Sequence, residues 1–199
     1  MDLSNALDFE KLNPPLTIIN SFDTDGSFIL NNLLSKIIRQ KEFIIFLTFS
    51  QKMTHYKSIQ GKLGNSTNLS NLTDQGPFNV IDCMQMFNSN DGKTSLLDEI
   101  FTQIQKLAEK FDFASQKKMY VFIDDLSVTH LIGMKDYEQL EFIKKITSLN
   151  ENIHLVISFQ GFDTNQAFVS DLAHIADLYV KVDKLQTGYS KEIDGQVIF

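Results

Sequence analysis

An α/β fold with a mainly parallel central sheet flanked by helices follows from three features of this 199-residue sequence. Residues 43–49 and 119–123 form apolar runs of strand length, as expected of strands covered on both faces, and 153–158 reads as another core strand. Stretches with apolar residues at helical spacing lie between them, notably 96–111 and 136–149. The tail, residues 187–199, carries Asp194-Gly195, the turn signal of a closing antiparallel hairpin. Strand alternating with helix, closed by such a hairpin, is the α/β pattern.

Taken in order, residues 1–15 end in Asn13-Pro14-Pro15, a stiff extended lead-in. Residues 16–20 predict the first strand and 21–25 a polar turn. Gly26 and Ser27 then open a helix with Phe28, Leu30, Leu33, Leu34, Ile37 and Ile38 on one broad face. A second helix is expected over 55–63, stopping at Gly64. Residues 64–77 read as a polar loop whose sequons at Asn65, Asn68 and Asn71 are a by-product of Asn/Ser/Thr richness. Residues 80–83 predict a short strand, followed by another polar loop through Lys93. The helix at 136–149 draws its apolar positions from Tyr137, Leu140, Phe142, Ile143 and Ile146. A shorter helix over 165–173 and a strand over 178–182 complete the pattern. No linker or repeat divides the chain, so one domain over 1–199 is expected.

Composition narrows the function classes. The formal charge is −7, with 18 Lys and Arg against 25 Asp and Glu. Nucleic-acid affinity comes largely from cations neutralising phosphates, so the chain is a poor stand-alone binder of nucleic acid. The basic doublets Lys117-Lys118 and Lys144-Lys145 read as solvated faces. The longest apolar run, 43–49, is far short of the roughly 18 residues of a membrane span. The first residues lack a secretory pattern, and the lone Cys83 suits a reducing compartment. The expectation is a protein with no membrane partner, cytoplasmic or both cytoplasmic and nuclear.

The stretch 16–39 has the strand–loop–helix context of a phosphate-binding P-loop, G-x-x-x-x-G-K-[ST]. Aligned on Gly26, the first glycine position holds Ser21, the lysine position Ser27 and the metal-binding hydroxyl position Phe28. Asp23 and Asp25 stand where phosphate oxygens would lie. Asp124, followed by Asp125, ends an apolar strand as a Walker B aspartate does. One charge pair at 4 Å is worth roughly 4 kcal/mol at an effective dielectric of about 20. A helix N-terminus returns up to about 2 kcal/mol. Losing the lysine and adding two acids therefore outweighs what the loop backbone can offer a phosphate. No catalytic residue, cofactor or metal ligand is expected. Asp124 and Asp125 read equally well as a strand-end pair capping a turn.

Other motifs are weaker. Asp91-Gly92-Lys93-Thr94 contains G-K-[ST] before a helix, but the position five before Gly92 is Phe87, and an N-cap at Thr94 or Ser95 explains the stretch. The histidines at 55, 130, 154 and 174 lack metal-ligand spacing, and His154 reads as a strand residue. Cys83 has no catalytic signature around it, and no G-x-S-x-G elbow is present. Phe22 and Phe28, beside the loop, are either partner anchors or internal packing.

Several blocks together resemble the Elongator complex protein 6 family. They are Asp25-Gly26-Ser27-Phe28, Ser50-Gln51, His55-Tyr56 and Gly61-Lys62-Leu63-Gly64. Asp124-Asp125-Leu126-Ser127, Gly133-Met134, Gly188-Tyr189 and Asp194-Gly195-Gln196 continue the match. The resemblance implies a RecA-like fold without a functional P-loop. It also implies assembly with the fourth and fifth Elongator subunits into a hetero-hexameric ring, alongside the remaining subunits. In the family that ring binds tRNA and supports wobble-uridine modification carried out by another subunit. The face formed by Phe22, Asp23, Asp25 and Phe28 then becomes a partner interface. The alternatives are a divergent RecA-like ATPase using Lys93 or a lysine supplied in trans, and a recombination- or clock-type paralogue.

Overall fold

The computed structural model describes residues 14–22, 24–65, 77–90, 95–113, 117–162, 165–184 and 196–198. Its strands are β1 Leu16–Phe22, β2 Phe43–Thr48, β3 Phe78–Asp82, β4 Met119–Ile123, β5 Ile153–Gly161, β6 Leu178–Asp183 and β7 Gln196–Ile198. Helices α1 Ser27–Gln40, α2 Met53–Gln60, α3 Cys83–Ser89, α4 Leu96–Ala108, α5 Val128–Leu131, α6 Asp136–Thr147 and α7 Gln166–Ile175 lie between them. The strands form one seven-stranded sheet in the order β3-β2-β4-β5-β1-β6-β7. Every pairing from β3 across to β6 is parallel, with Asn20 opposite Phe159 and Phe46 opposite Phe122. Only β7 runs antiparallel, with Val197 opposite Val182.

The continuous apolar runs divide strictly between two cores. Ile45, Leu47, Val121, Ile123, Leu155 and Ile157 point to the face covered by α4, α6 and α7. Ile44, Phe46, Phe122 and Val156 point to the face covered by α1 and α2. Period-two alternation is thus present but masked, because both faces are buried. All six parallel strands deliver their carboxyl ends to one edge of the sheet, where ligands of open α/β folds bind.

The elements depart from expectation in definite places. Residues 84–89 are not loop: α3 starts at Cys83, because the Asp82 side chain accepts the Gln85 N–H at 2.8 Å and caps the turn. The predicted strand at 80–83 accordingly spans Phe78–Asp82. Helix α2 begins at Met53, earlier than predicted. Its regular part ends at Gln60 and passes into a π-type turn, Gly61–Asn65, with Gly64 at φ 87°. Phe28 and Tyr137, assigned above to apolar helix faces, are exposed, and Ile29 and Gln139 take the buried positions. The short helix α5 carried no sequence signal. Asp23, the loop residues Asp91 to Thr94, and the Asp194-Gly195 turn lie outside the described residues.

Candidate functional site

The residues singled out from the sequence gather at the carboxyl edge of β1 and β4, with β5 between those strands. Ser21 is buried near the end of β1. Gly26 sits so close to it that an added Cβ would lie 3.1 Å from Ser21 Cβ and 3.4 Å from Val182 Cγ2. A side chain there would fit only if Ser21 gave way by a few tenths of an ångström. Phe22 is half-buried and Phe28 is 38% exposed.

Asp25 decides what the start of α1 can bind. Its Oδ1 accepts the Ser27 N–H at 2.8 Å and its Oδ2 accepts the Ser27 hydroxyl at 3.0 Å. A helix N-terminus offers free amides and positive potential to an anion. Here the first amide and the hydroxyl in the lysine position are already engaged by the chain's own carboxylate. Ile29 N–H is also occupied, donating to Gly26 O at 3.1 Å.

Asp124 turns away from that loop. It is 4% exposed and accepts from Phe49 N at 2.6 Å, Ser50 N at 3.1 Å, Ser50 Oγ at 3.2 Å, Gln51 N at 3.3 Å and Tyr56 Oη at 2.8 Å. A carboxylate has about four lone-pair sites. All are taken, and none is left for a metal ion. Burial pushes the Asp124 carboxyl up from its ordinary range, while the bonds from Phe49, Tyr56, Ser50 and Gln51 pull it back. The backbone amides among these partners can only donate, so each of those bonds favours the ionised form. Burial, then the Asp124 charge, push the Tyr56 hydroxyl far above its usual range, so it stays protonated and donates. Asp125 serves the turn that follows, accepting the Ser127 N–H at 3.0 Å and the Ser127 hydroxyl. Both aspartates therefore organise backbone turns. Among the described residues, no group of three His, Cys, Asp or Glu could hold a metal ion.

This hub joins blocks that are far apart in sequence: Ser50-Gln51 after β2, Tyr56 on α2 and Asp124 after β4. A second polar cluster ties the far end of α2 to α1. Gln60 Nε2 donates to Asn31 O at 2.9 Å, and Asn65 Nδ2 donates to Gln60 Oε1 at 2.9 Å and Ser35 Oγ at 2.7 Å. Arg39 closes it, donating to Leu63 O at 2.6 Å. Asn65, the first predicted sequon, is thus buried in the core. Sequence reasoning missed both clusters because their partners are polar residues brought together only by strand order.

Two clefts frame the sheet. One of about 410 Å³ opens beside the hub and is lined by Ser50, Gln51, Lys52, Asp82 and Gln85. Another of about 360 Å³, lined by Thr17, Lys36, Tyr120, Phe122 and His154, lies towards the opposite edge, away from Asp25 and Asp124. His154 there is a strand residue, as expected. Its ring stacks on Tyr120 at 5.1 Å, and burial holds its pKa below the ordinary value.

Elongator complex protein 6 of Mus musculus is 25% identical over 207 residues, covering 92% of this chain and 77% of its own length. The Drosophila melanogaster protein of that name is 22% identical over 207 residues, covering 98% of this chain and 82% of its own. The Homo sapiens protein is 23% identical over 205 residues, covering 92% and 77%. Among solved structures, an uncharacterized protein from Pyrococcus horikoshii, in complex with an unknown peptide, superposes with a TM-score of 0.67. It is 12% identical and covers 96% of this chain and 87% of that one. A KaiC-like protein from Pyrococcus horikoshii OT3 gives a TM-score of 0.61 at 14% identity, covering 92% and 77%. These structures bear on the fold alone, which is RecA-like. A family model described as Elongation complex protein 6 matches residues 2–199. The chain belongs to the Elongation complex protein 6 family.

Proposed function

We propose that this chain is a non-catalytic, RecA-like subunit of the Elongator complex. It joins the fourth and fifth subunits in a hetero-hexameric ring that binds tRNA and supports wobble-uridine modification carried out elsewhere in the complex. The ring works in the cytoplasm, or in both cytoplasm and nucleus. The observation that carries the non-catalytic part is the occupancy of the two would-be nucleotide groups. Asp25 caps the helix that a phosphate would approach, and Asp124 spends its lone pairs on Phe49, Ser50, Gln51 and Tyr56. With Ser27 in the lysine position, the loop holds no cation to balance a triphosphate. Freed of that chemistry, the segment with Phe22, Asp25 and Phe28 serves as a protein contact. Family membership supports the choice of partners, and the formal charge of −7 supports tRNA binding by the ring instead of by this chain alone.

Co-expression with the fourth and fifth subunits, followed by light-scattering mass determination, tests the assembly. The expected result is one species with the three chains in equal amounts and the mass of two copies of each. Recovery of this chain as a lone monomer while the other two associate would sink the reading.

A further inference from the structure

The edge that carries Asp25 and Asp124 also carries the most exposed large apolar side chains among the described residues, Leu131 at 75% and Tyr137 at 66%. They flank residues 132–136, a segment fastened on every side. Met134 N–H donates to Thr129 O at 3.0 Å, Gly133 N–H to His130 O at 3.0 Å, and Lys135 N–H to Glu138 Oε2 at 2.7 Å. His130 Nε2 lies 2.7 Å from Asp136 Oδ1, bridging the segment. Gly133, at φ 89°, supplies the left-handed turn that other residues resist. Behind it the His130 ring packs edge-on against the fully buried Phe159 and Phe168. Leu131 and Tyr137 are thus held out into water by a loop anchored in the core. Backbone ordered before binding need not be ordered during it, which favours such positions as docking anchors. Phe162 after β5 and Phe28 after β1 continue the exposed row in strand order β4-β5-β1.

Charge selects the occupant. In the described segments that follow β1, β4 and β5, the exposed Asp25 and Asp136 and the half-buried Glu138 outnumber the one lysine, Lys135, while Asp124 and Asp125 are turned inward. A second copy of a −7 chain would bring like charge to this edge, and a nucleic acid would bring phosphates to carboxylates. An apolar protein surface rimmed by Lys or Arg complements both features. We propose that Leu131 and Tyr137 anchor a heterologous contact with such a basic-rimmed apolar surface on a sister subunit. This rests on the assembly proposed above and extends its interface from the end of β1 to the end of β4.

The test compares the wild-type chain with the L131S/Y137S variant for binding to the co-purified pair of fourth and fifth subunits, at low and high salt. Both positions are exposed, so the variant should melt within about 2 °C of wild type. Should it melt lower, Leu131→Gln alone repeats the comparison. The expected result is an affinity loss of about tenfold or more in the variant, and wild-type binding that weakens as salt rises. Wild-type assembly with variant affinity within about twofold overturns the anchor while leaving the assembly reading intact. Failure of wild type to bind the pair sinks both. If the substitutions instead abolish self-association of the isolated chain, or its retention of tRNA, the occupant is a second copy or RNA and the proposal is wrong.

Discussion

Tyr56→Phe isolates the bond that joins α2 to the end of β4. The Tyr56 hydroxyl donates to Asp124 Oδ2 at 2.8 Å, and the residue is 4% exposed. Its ring packs edge-on against Phe46 at a centroid distance of 4.7 Å, a contact phenylalanine preserves. The substitution therefore removes the hydrogen bond to the buried carboxylate, together with the weaker contact the hydroxyl makes with the Ser50 side chain. Such bonds contribute about 1.5–3 kcal/mol. Four other groups still donate to Asp124, namely Phe49 N, Ser50 N, Ser50 Oγ and Gln51 N, so the lower half of that range is expected, about 2 kcal/mol. In a chain of this size that lowers Tm by about 4–8 °C. Urea unfolding followed by far-ultraviolet circular dichroism suits a chain without tryptophan. A destabilisation under about 0.5 kcal/mol would refute the hub, since the hydroxyl would then have a partner other than the carboxylate. A double-mutant cycle with Asp124→Asn should return a coupling of at least about 1 kcal/mol.

Two further substitutions probe the loop and the second aspartate. Gly26→Ala should destabilise by no more than about 1 kcal/mol, because the new Cβ meets the buried Ser21 Cβ at 3.1 Å while the backbone there suits alanine; a clear gain in melting temperature would contradict that crowding. Asp125→Asn addresses pH. Burial raises the Asp125 carboxyl above its ordinary value, outweighing the bonds from Ser127. The stability it contributes is fully present below the unfolded value of about 3.9 and is lost as pH rises through the folded one. The asparagine variant should therefore gain on wild type at pH 7 and lose that advantage as the pH falls to about 4; parallel stability profiles for the two proteins would count against the assignment.

Much of the architecture was legible in local pattern, and the misses share a physical cause. Residues 43–49 and 119–123 announced strands because a strand buried on both faces needs no polar side chain. Helix α3 escaped notice because Cys83–Ser89 buries only Cys83 and depends on one cap from Asp82. Phe28 and Tyr137 were misplaced by helical periodicity, which orders residues around a helix without saying how far the covering surface extends. At the site, the missing lysine was plain from Ser27. That Asp25 binds the helix amide, and that Asp124 faces the β2 end instead of the loop after β1, required the strand order. Tyr56 and Asp124 are 68 residues apart and meet only because β2 and β4 are neighbours.

Titration calorimetry of Mg²⁺·ATP into the isolated chain tests the central claim most directly, that this RecA-like frame offers no nucleotide site of its own. No heat of binding is expected at millimolar nucleotide, because Asp25 occupies the helix amide and the Asp124 lone pairs are taken up by Phe49, Ser50, Gln51 and Tyr56. Saturable binding with a Kd in the micromolar range, weakened by EDTA, would contradict it.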